Sequence, residues 1–172
     1  MNETLANRIE ANRQEYYRLL KDSNYTGVRF NEKTGGLLAI HREHRFDPAK
    51  GIFGIPRGDY ERISLDILYK YGNSVIFGSE VSEYKIKAPD GILNGKKFDI
   101  KSIEGVGKNN IINNMKDANK KRAESIVLYY HDNSLFDECQ LRNSYESYFR
   151  NSKSKRIKEV YYIVDRELYM LK

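Results

Sequence analysis

The dipeptide Asn94-Gly95 constrains the fold of this chain more than any other short feature. Asn-Gly between two strand-like runs is the strongest local signal for a β-hairpin with a two-residue turn. With these residues as the loop, Leu93 faces Lys96, and continued pairing brings Asp90 opposite Asp99. Residues paired in this way share one face of the sheet, with Cβ atoms about 4.5–5.5 Å apart. The turn therefore predicts two neighbouring carboxylates.

Two like charges at this distance repel each other, so the pair lowers stability unless another group compensates. Lys101 lies two residues beyond Asp99 and points to the same face. Two carboxylates and an ammonium suit a hard cation, Mg²⁺ or Mn²⁺, with Zn²⁺ as a further candidate. Such an ion lowers the pKa of a bound water, while Lys101 would position that water or stabilise developing negative charge. The alternative is a solvated hairpin with ordinary surface charges.

Helix and strand signals alternate along the chain, which predicts an α/β domain with a mixed central sheet flanked by helices. After Asp59 as N-cap, we expect a helix over 60–71 that ends at Gly72. The further predictions are strands over 74–77, 84–93 and 96–103, a helix over 108–122, a strand over 125–130, a helix over 135–149 and a strand over 160–164.

The first fifty residues have a different character. A helix with one apolar face is predicted over 3–21, followed by a turn at 31–36 and a short strand or hairpin arm over 37–40. A boundary near residue 50 would divide an N-terminal helix and hairpin elaboration (1–50) from the main domain (51–172). The predicted apolar face of the helix consists of Leu5, Ile9, Tyr16, Leu19 and Leu20.

The segment around the hairpin resembles a known group of nucleases. Pro89-Asp90, followed by Asp99-x-Lys101 on the next strand, is similar to the PD-(D/E)XK motif, and the order helix, three strands, helix, strand resembles that fold's core. Residues 89–128 look like the C-terminal tRNA-nuclease domains of contact-dependent inhibition (CdiA) toxins and related phage- and element-borne proteins. The resemblance implies a restriction-endonuclease-like core and a metal-dependent nuclease that cuts RNA, with tRNA as the substrate.

The same resemblance implies site residues. Asp90 and Asp99 would be metal ligands and catalytic residues, together with Lys101 as a catalytic residue. The family also has an acidic residue on the helix before the first strand. Glu61 is the matching candidate for a third ligand, with Asp66 and Glu80 as alternatives.

The charge balance favours a polyanionic partner. The chain has 30 Lys and Arg against 24 Asp and Glu, a net charge of +6. The turn at 105–109 opens a helix, whose N-terminus could hold a phosphate. Basic residues later in the chain could follow a phosphate backbone or form a solubilising surface. The predicted nucleic-acid-binding residues are Lys108, Lys116, Lys120, Lys121, Arg122, Lys155 and Arg156.

Several classes are excluded or disfavoured by simple features. A single cysteine, Cys139, excludes a disulfide within the chain and a multi-cysteine zinc site. No apolar run approaches the ~20 residues of a membrane-spanning helix, and the first residues lack the apolar part of a secretory signal. We therefore expect action in the cytoplasm, after delivery into a target cell if the chain is a toxin domain.

Other functions stay open from the sequence. One is a DNA endonuclease of the same fold, and another is a non-catalytic nucleic-acid-binding module. A toxin domain would imply a cognate immunity protein, acidic enough to cover the basic face. His41 and His44 could serve metal binding or acid–base chemistry, but no third ligand follows at helical spacing, so a loop role is favoured.

Overall fold

The computed structural model describes residues 4–79, 88–153 and 155–171. Over these residues the helices are α1 (Leu5–Lys21), α2 (Arg57–Lys70), α3 (Asn110–Lys120) and α4 (Glu138–Asn151), with a short 3-10 turn at Asn133–Leu135. The strands are β1 (Tyr25–Phe30), β2 (Leu37–His41), β3 (Ser74–Phe77), β4 (Gly91–Leu93), β5 (Lys96–Ile103), β6 (Ser125–Tyr130), β7 (Glu159–Val164) and β8 (Glu167–Met170).

All eight strands form one mixed sheet, in which their spatial order is their order along the chain. The pairs β2–β3, β5–β6 and β6–β7 are parallel, and the other neighbours are antiparallel. Helices α2, α3 and α4 supply the crossovers that parallel neighbours need. The predicted α/β class and mixed sheet are confirmed, and the order α2-β3-β4-β5-α3-β6 is the predicted one.

The start of α2 differs from the prediction. The helix begins at Arg57 after Pro56, so Asp59 lies in the first turn and is not the N-cap. The first amides of a helix need acceptors outside it. Here the backbone supplies them, because Arg57 N–H donates to the carbonyl of Ala49 and Gly58 N–H donates to that of Asp47. The loop that ends at residue 56 therefore replaces a side-chain cap.

The predicted strands differ from the observed ones in two respects. Of the strand predicted over 84–93, only Gly91–Leu93 is a strand among the described residues, and 84–87 lie outside them. The edge strands β1 and β8 were not predicted. The turn before β8 consists of Asp165 and Arg166, with φ of 53° and 64°, and it lacks the glycine that usually marks such a turn.

The sheet separates two hydrophobic cores. Helix α2 packs on one face, where Tyr60 and Leu68 are buried against β3, β5 and β6. Helices α3 and α4 pack on the other face through Met115 and Leu141. No helix within the described ranges is long and apolar enough to cross a membrane.

Helix α1 covers a third, smaller cluster at the β1–β2 end of the sheet. Leu19 is fully buried there beside Leu37 and Ala39. Leu5 and Leu20, predicted on the same buried face, are instead 57% and 52% exposed. The helix therefore contacts the sheet along a narrower stripe than its apolar residues suggested.

The predicted boundary near residue 50 divides elements that share one sheet. Strand β2 pairs with β3 in parallel over four residues, from Leu37 with Ser74 to Ile40 with Phe77. The segment 1–50 thus supplies two strands to the sheet of 51–172. The division into an elaboration (1–50) and a main domain (51–172) stays a prediction.

Candidate active site

The hairpin has the predicted geometry. Asn94 and Gly95 have φ of 49° and 82°, the positive values that a two-residue type I′ turn requires. The pairs are Leu93 with Lys96, Ile92 with Lys97 and Gly91 with Phe98. The register predicted from the turn is therefore confirmed over these three pairs.

The sheet opens beyond the last of these pairs. Strand β4 is three residues long, whereas β5 continues beside β6 up to Ile103. Gly91 lies at this point between β3 and β5. A side chain here would clash, because its Cβ would lie 2.2 Å from the carbonyl oxygen of Ile76. The amide of Asp90 then donates to Phe98 O at 2.9 Å, one residue out of the ladder register. The β4–β5 ladder thus ends at Gly91, and beyond it β5 has no ladder partner on this side among the described residues.

Asp90 and Asp99 come together at this opening, although they do not form a ladder pair. Asp90 Oδ2 accepts a hydrogen bond from the backbone amide of Ile100 at 2.6 Å. Asp99 lies on β5 and has no solvent exposure. Burial and the neighbouring charge of Asp99 raise the pKa of Asp90 well above its ordinary value. The two carboxylates are therefore electrostatic neighbours, as the hairpin predicted.

Two ammonium groups compensate this pair. Lys101 Nζ lies 2.9 Å from Asp99 Oδ2 and 2.5 Å from Asp117 Oδ2. Lys121 Nζ lies 2.8 Å from Asp99 Oδ1 and 3.9 Å from Asp90 Oδ1. We call these five residues the carboxylate–lysine cluster. Each oxygen of the buried Asp99 carboxylate faces an ammonium, which offsets the cost of burying the charge.

Lys101 remains an ammonium in this cluster. Burial alone would lower its pKa, but the attraction of Asp99 and the hydrogen bond to Asp117 outweigh burial and raise that pKa. A permanently protonated amine can donate hydrogen bonds and stabilise negative charge, and it cannot accept a proton at neutral pH. Both roles predicted for Lys101, positioning a water and stabilising negative charge, need no change in its protonation.

The cluster lies in a polar cleft of about 580 Å³. Asp90, Lys101, Asp117 and Lys121 contribute to its wall, and Asp99 lies buried behind them. Further residues of the wall come from the loop before α2, from α2 itself, from the segment before β4, from β5 and the residue after it, and from α3. These include Asp47, Arg57, Tyr60, Glu61, Ser102 and Glu104.

Glu61 lies in this cleft but outside the carboxylate–lysine cluster. Its Oε2 is buried, has no hydrogen-bond partner among the residues that the structure describes, and lies 3.8 Å from His44 Nε2. His44 lies in a loop, and its buried ring packs between Phe46 and Phe77. It contacts Glu61, the residue predicted as a third metal ligand. The alternative Asp66 lies elsewhere and pairs with Lys70 at 2.8 Å. Glu80 falls outside the described residues.

The donor set fits a hard divalent cation with two protein ligands. Mg²⁺ is usually held by one or two carboxylates together with water and substrate phosphate. Asp90 and Asp99 supply such oxygens, and the Lys121 ammonium shows that a cation can sit within 3.9 Å of both. No three His, Cys, Asp or Glu side chains of the described residues gather closely enough to hold a metal. Glu61 would therefore have to move to become a third ligand.

Comparison with known proteins supports a toxin relationship for this region. Residues 87–168 match the family model of the contact-dependent growth inhibition CdiA C-terminal domain. The match supports a CdiA C-terminal toxin-like domain. It covers about half of the chain, including all five cluster residues, and stops short of Glu61. No curated protein and no solved structure matches the chain.

The basic residues predicted to bind nucleic acid fall into two groups. Lys121 belongs to the carboxylate–lysine cluster, and its side chain is only 17% exposed. The others are exposed, namely Lys108, Lys116, Lys120, Arg122, Lys155 and Arg156. Within the CdiA-like segment, Arg156 N–H donates to Asn119 Oδ1 and Lys158 N–H donates to the carbonyl of Glu124. Lys155 and Arg156 therefore lie near Lys120 and Arg122 at the C-terminal end of α3, whereas Lys108 precedes the N-terminal end of that helix.

Sequence reasoning missed three polar residues of the CdiA-like segment that line the cleft, namely Asp117, Asn114 and Glu104. Asn114, Asp117 and Lys121 are spaced i, i+3 and i+7, so the sequence does place them on one side of a helix. The apolar positions Ile111, Met115 and Ala118 show which side is buried. Neither pattern shows that the polar side faces Asp99, because that contact depends on how α3 docks on β5.

Proposed function

We propose that this chain is a metal-dependent endonuclease that hydrolyses phosphodiester bonds in RNA and acts as a toxin domain. The observation that carries the proposal is the carboxylate–lysine cluster, built on a β-hairpin at the wall of an open polar cleft. The CdiA match adds support because it spans every residue of that cluster. The preference for tRNA comes from the family resemblance of residues 89–128.

Asp90 and Asp99 would hold Mg²⁺ or Mn²⁺, with Glu61 as a third ligand after a local rearrangement. The bound ion would lower the pKa of a water and offset the charge of the attacked phosphate. The Ile100 amide orients Asp90 through a 2.6 Å hydrogen bond. Both carboxylates are thus oriented before substrate arrives, which reduces the reorganisation needed for the reaction.

Lys101 would stabilise negative charge on the phosphate. Its ammonium is fixed from two sides, by Asp99 and by Asp117. Hydrogen-bond donors held in place act on charge that develops in the transition state without further ordering. Asp117 is accordingly a positioning residue in this proposal, since it holds Lys101 and is not required to contact substrate.

The exposed basic residues around the C-terminal end of α3 would bind the nucleic-acid backbone. Lys121 follows α3 and reaches the cleft, so this basic surface adjoins the proposed reaction centre. Contacts to phosphates supply affinity without reading sequence. RNA would be distinguished from DNA by contacts to the 2′-hydroxyl and by A-form shape.

The restriction-endonuclease-like core belongs to the same proposal. It is supported by the order α2-β3-β4-β5-α3-β6, with the predicted acidic residues on the β4–β5 hairpin and a lysine on β5. In that fold the hairpin carries the metal ligands and the following lysine completes the motif. The architecture and the chemistry thus support each other.

A toxin domain requires a means of delivery and protection of its producer. CdiA toxin domains are paired with immunity proteins and are delivered into target cells. We propose that this chain acts in the cytoplasm of such a cell and binds a cognate immunity protein. An acidic partner would complement the basic surface around α3.

The test of this proposal is cleavage by the purified full chain. Total tRNA and plasmid DNA are incubated in parallel with Mg²⁺, with Mn²⁺ or with EDTA. Cleavage of tRNA that requires a divalent ion, with plasmid left intact, is the expected result. Cleavage of plasmid alone would contradict the RNA assignment, and cleavage in EDTA would contradict metal dependence.

A further inference from the structure

Lys121 differs from every other predicted nucleic-acid-binding residue, because its ammonium is inside the proposed metal site. It lies 2.8 Å from Asp99 and 3.9 Å from Asp90, the two proposed metal ligands. Its side chain is 17% exposed, yet it contributes to the wall of the cleft. A cation of the protein itself therefore sits where the divalent ion would bind.

We propose that Lys121 is an internal cation that exchanges with the divalent ion. In the metal-free protein its ammonium neutralises Asp90 and Asp99. Binding of the ion displaces the ammonium into the cleft, where it contacts a phosphate of the substrate. This inference rests on the proposed metal-dependent function and assigns Lys121 a role in charge exchange that the hairpin motif does not contain.

Electrostatics requires the exchange. Two cations held about 4 Å apart in a partly buried site repel each other by several kcal/mol at an effective dielectric constant near 20. The ammonium and the divalent ion therefore compete for the same two carboxylates. Removal of the Lys121 ammonium alone would leave Lys101 as the remaining cation beside Asp99, so the repulsion between Asp90 and Asp99 would favour binding of a divalent ion.

The contacts explain why Lys121 moves and Lys101 stays. Lys101 is also held by Asp117, which is not one of the two proposed ligands. Among the described residues, the ion pairs of Lys121 are both with the proposed ligands. Lys121 also follows the last residue of α3, and a four-carbon side chain at a helix end can reach a new position by rotation of its own bonds.

The exchange predicts an effect that damage to the fold would not produce. Binding of Mn²⁺ to the full chain is measured by calorimetry for the wild type and for Lys121→Met, which removes the charge and keeps the length. We expect the variant to bind Mn²⁺ about tenfold more tightly, a change of about 1.4 kcal/mol. Lys33→Met is the matched control, since Lys33 lies exposed in the β1–β2 turn and carries the same charge. It should bind Mn²⁺ like the wild type.

A second measurement uses the wild type alone and so does not depend on folding of a variant. Surface lysines are acetylated briefly in EDTA or in Ca²⁺, and the extent at each lysine is read by mass spectrometry. Displacement predicts that Ca²⁺ raises acetylation of Lys121 severalfold and leaves Lys33 unchanged. Equal acetylation of Lys121 in both conditions would overturn the exchange.

The outcomes separate this inference from the nuclease proposal. Mn²⁺ binding that is unchanged or weaker in Lys121→Met would overturn the exchange, even if tRNA cleavage requires metal. Absence of Mn²⁺ binding to the wild type at millimolar concentration would also overturn it. Tighter binding by the variant would support the exchange, and absence of nucleic-acid cleavage in the same preparation would then contradict the nuclease proposal alone.

Discussion

Lys121 Nζ lies 2.8 Å from Oδ1 of Asp99, a carboxylate with no solvent exposure. Lys101 holds the other oxygen of the same carboxylate at 2.9 Å. Asp99 is therefore both a proposed metal ligand and the counter-charge of two partly buried ammonium groups. A substitution at this position alters folding as well as chemistry, so the roles of Asp90 and Asp99 must be tested by different experiments.

Asp99→Asn should destabilise the protein strongly. The substitution leaves Lys101 and Lys121 near an uncharged group, and the loss of one partner of a buried ion pair costs about 3 kcal/mol or more. We expect the free energy of unfolding in urea to fall by that amount in EDTA. The control is Asp165→Asn, at an exposed turn position with positive φ that asparagine tolerates, and it should change stability by less than about 0.5 kcal/mol. Equal stability of the two variants would contradict the role of Asp99 as a buried counter-charge.

Asp90→Asn should have the opposite effect on stability. The folded state raises the pKa of Asp90 above its ordinary value of 3.8, so the folded protein holds this proton more tightly than the unfolded chain. The stability contributed by Asp90 is therefore lost as pH rises from 3.8 through the raised pKa. The variant avoids that loss, and its amide oxygen can still accept from Ile100 N–H.

The measurement is thermal unfolding in EDTA as a function of pH. The Tm of Asp90→Asn should exceed that of the wild type by about 2–4 °C at pH 8, and the difference should shrink towards pH 4. A lower Tm for the variant at pH 8 would show that attraction to Lys121 outweighs the repulsion between the two carboxylates.

Deletion of residues 1–50 should impair folding. It removes β2, in which Leu37, Leu38 and Ala39 are buried, and exposes the edge of β3. An uncovered sheet edge is prone to association with other chains. We expect residues 51–172 to aggregate or to unfold at a lower temperature than the full chain. A monomeric fragment with the Tm and the cleavage activity of the full chain would instead support 1–50 as a separable delivery or docking segment.

Lys155→Gln/Arg156→Gln should weaken nucleic-acid binding without altering the metal site. Both residues are exposed beside the C-terminal end of α3. Each phosphate contact contributes about 0.9 to the slope of log K against log salt on duplex DNA and about 0.7 on single strands. Loss of both contacts should reduce the slope by about 1.4–1.8 in a fluorescence-anisotropy titration.

The matched control for that titration is Arg8→Gln/Lys33→Gln, which removes the same charge from exposed positions in α1 and the β1–β2 turn. Its slope should equal that of the wild type. If both double variants lower the slope equally, the effect is one of net charge, and the surface around α3 is not the binding site.

Features that depend on local sequence were predicted well. The turn Asn94-Gly95 determined the hairpin register, and the strands 74–77, 96–103 and 125–130 have their predicted bounds. Local backbone preference and burial agree in these segments, so the pattern is strong. β8 is a mostly exposed edge strand after a turn without glycine, so it shows neither a clear pattern nor a turn signal.

The site could be predicted only where one hairpin creates it. Asp90 and Asp99 become neighbours through a two-residue turn, which is a local event. Lys121 reaches Asp99 from the end of α3, Asp117 contacts Lys101 from α3, and Glu61 enters the cleft from α2. These contacts depend on how the helices dock on the sheet. The periodicity within one helix does not predict the docking geometry.

The most direct test of the account compares tRNA cleavage in Mg²⁺ by the wild type and by Asp90→Asn. This variant should fold at least as well as the wild type while it loses half of the proposed ligand charge. Cleavage should fall by at least about 100-fold, equivalent to about 2.7 kcal/mol of transition-state stabilisation, with an undiminished Tm. Wild-type rates from a folded Asp90→Asn would contradict the assignment of this hairpin as the catalytic site.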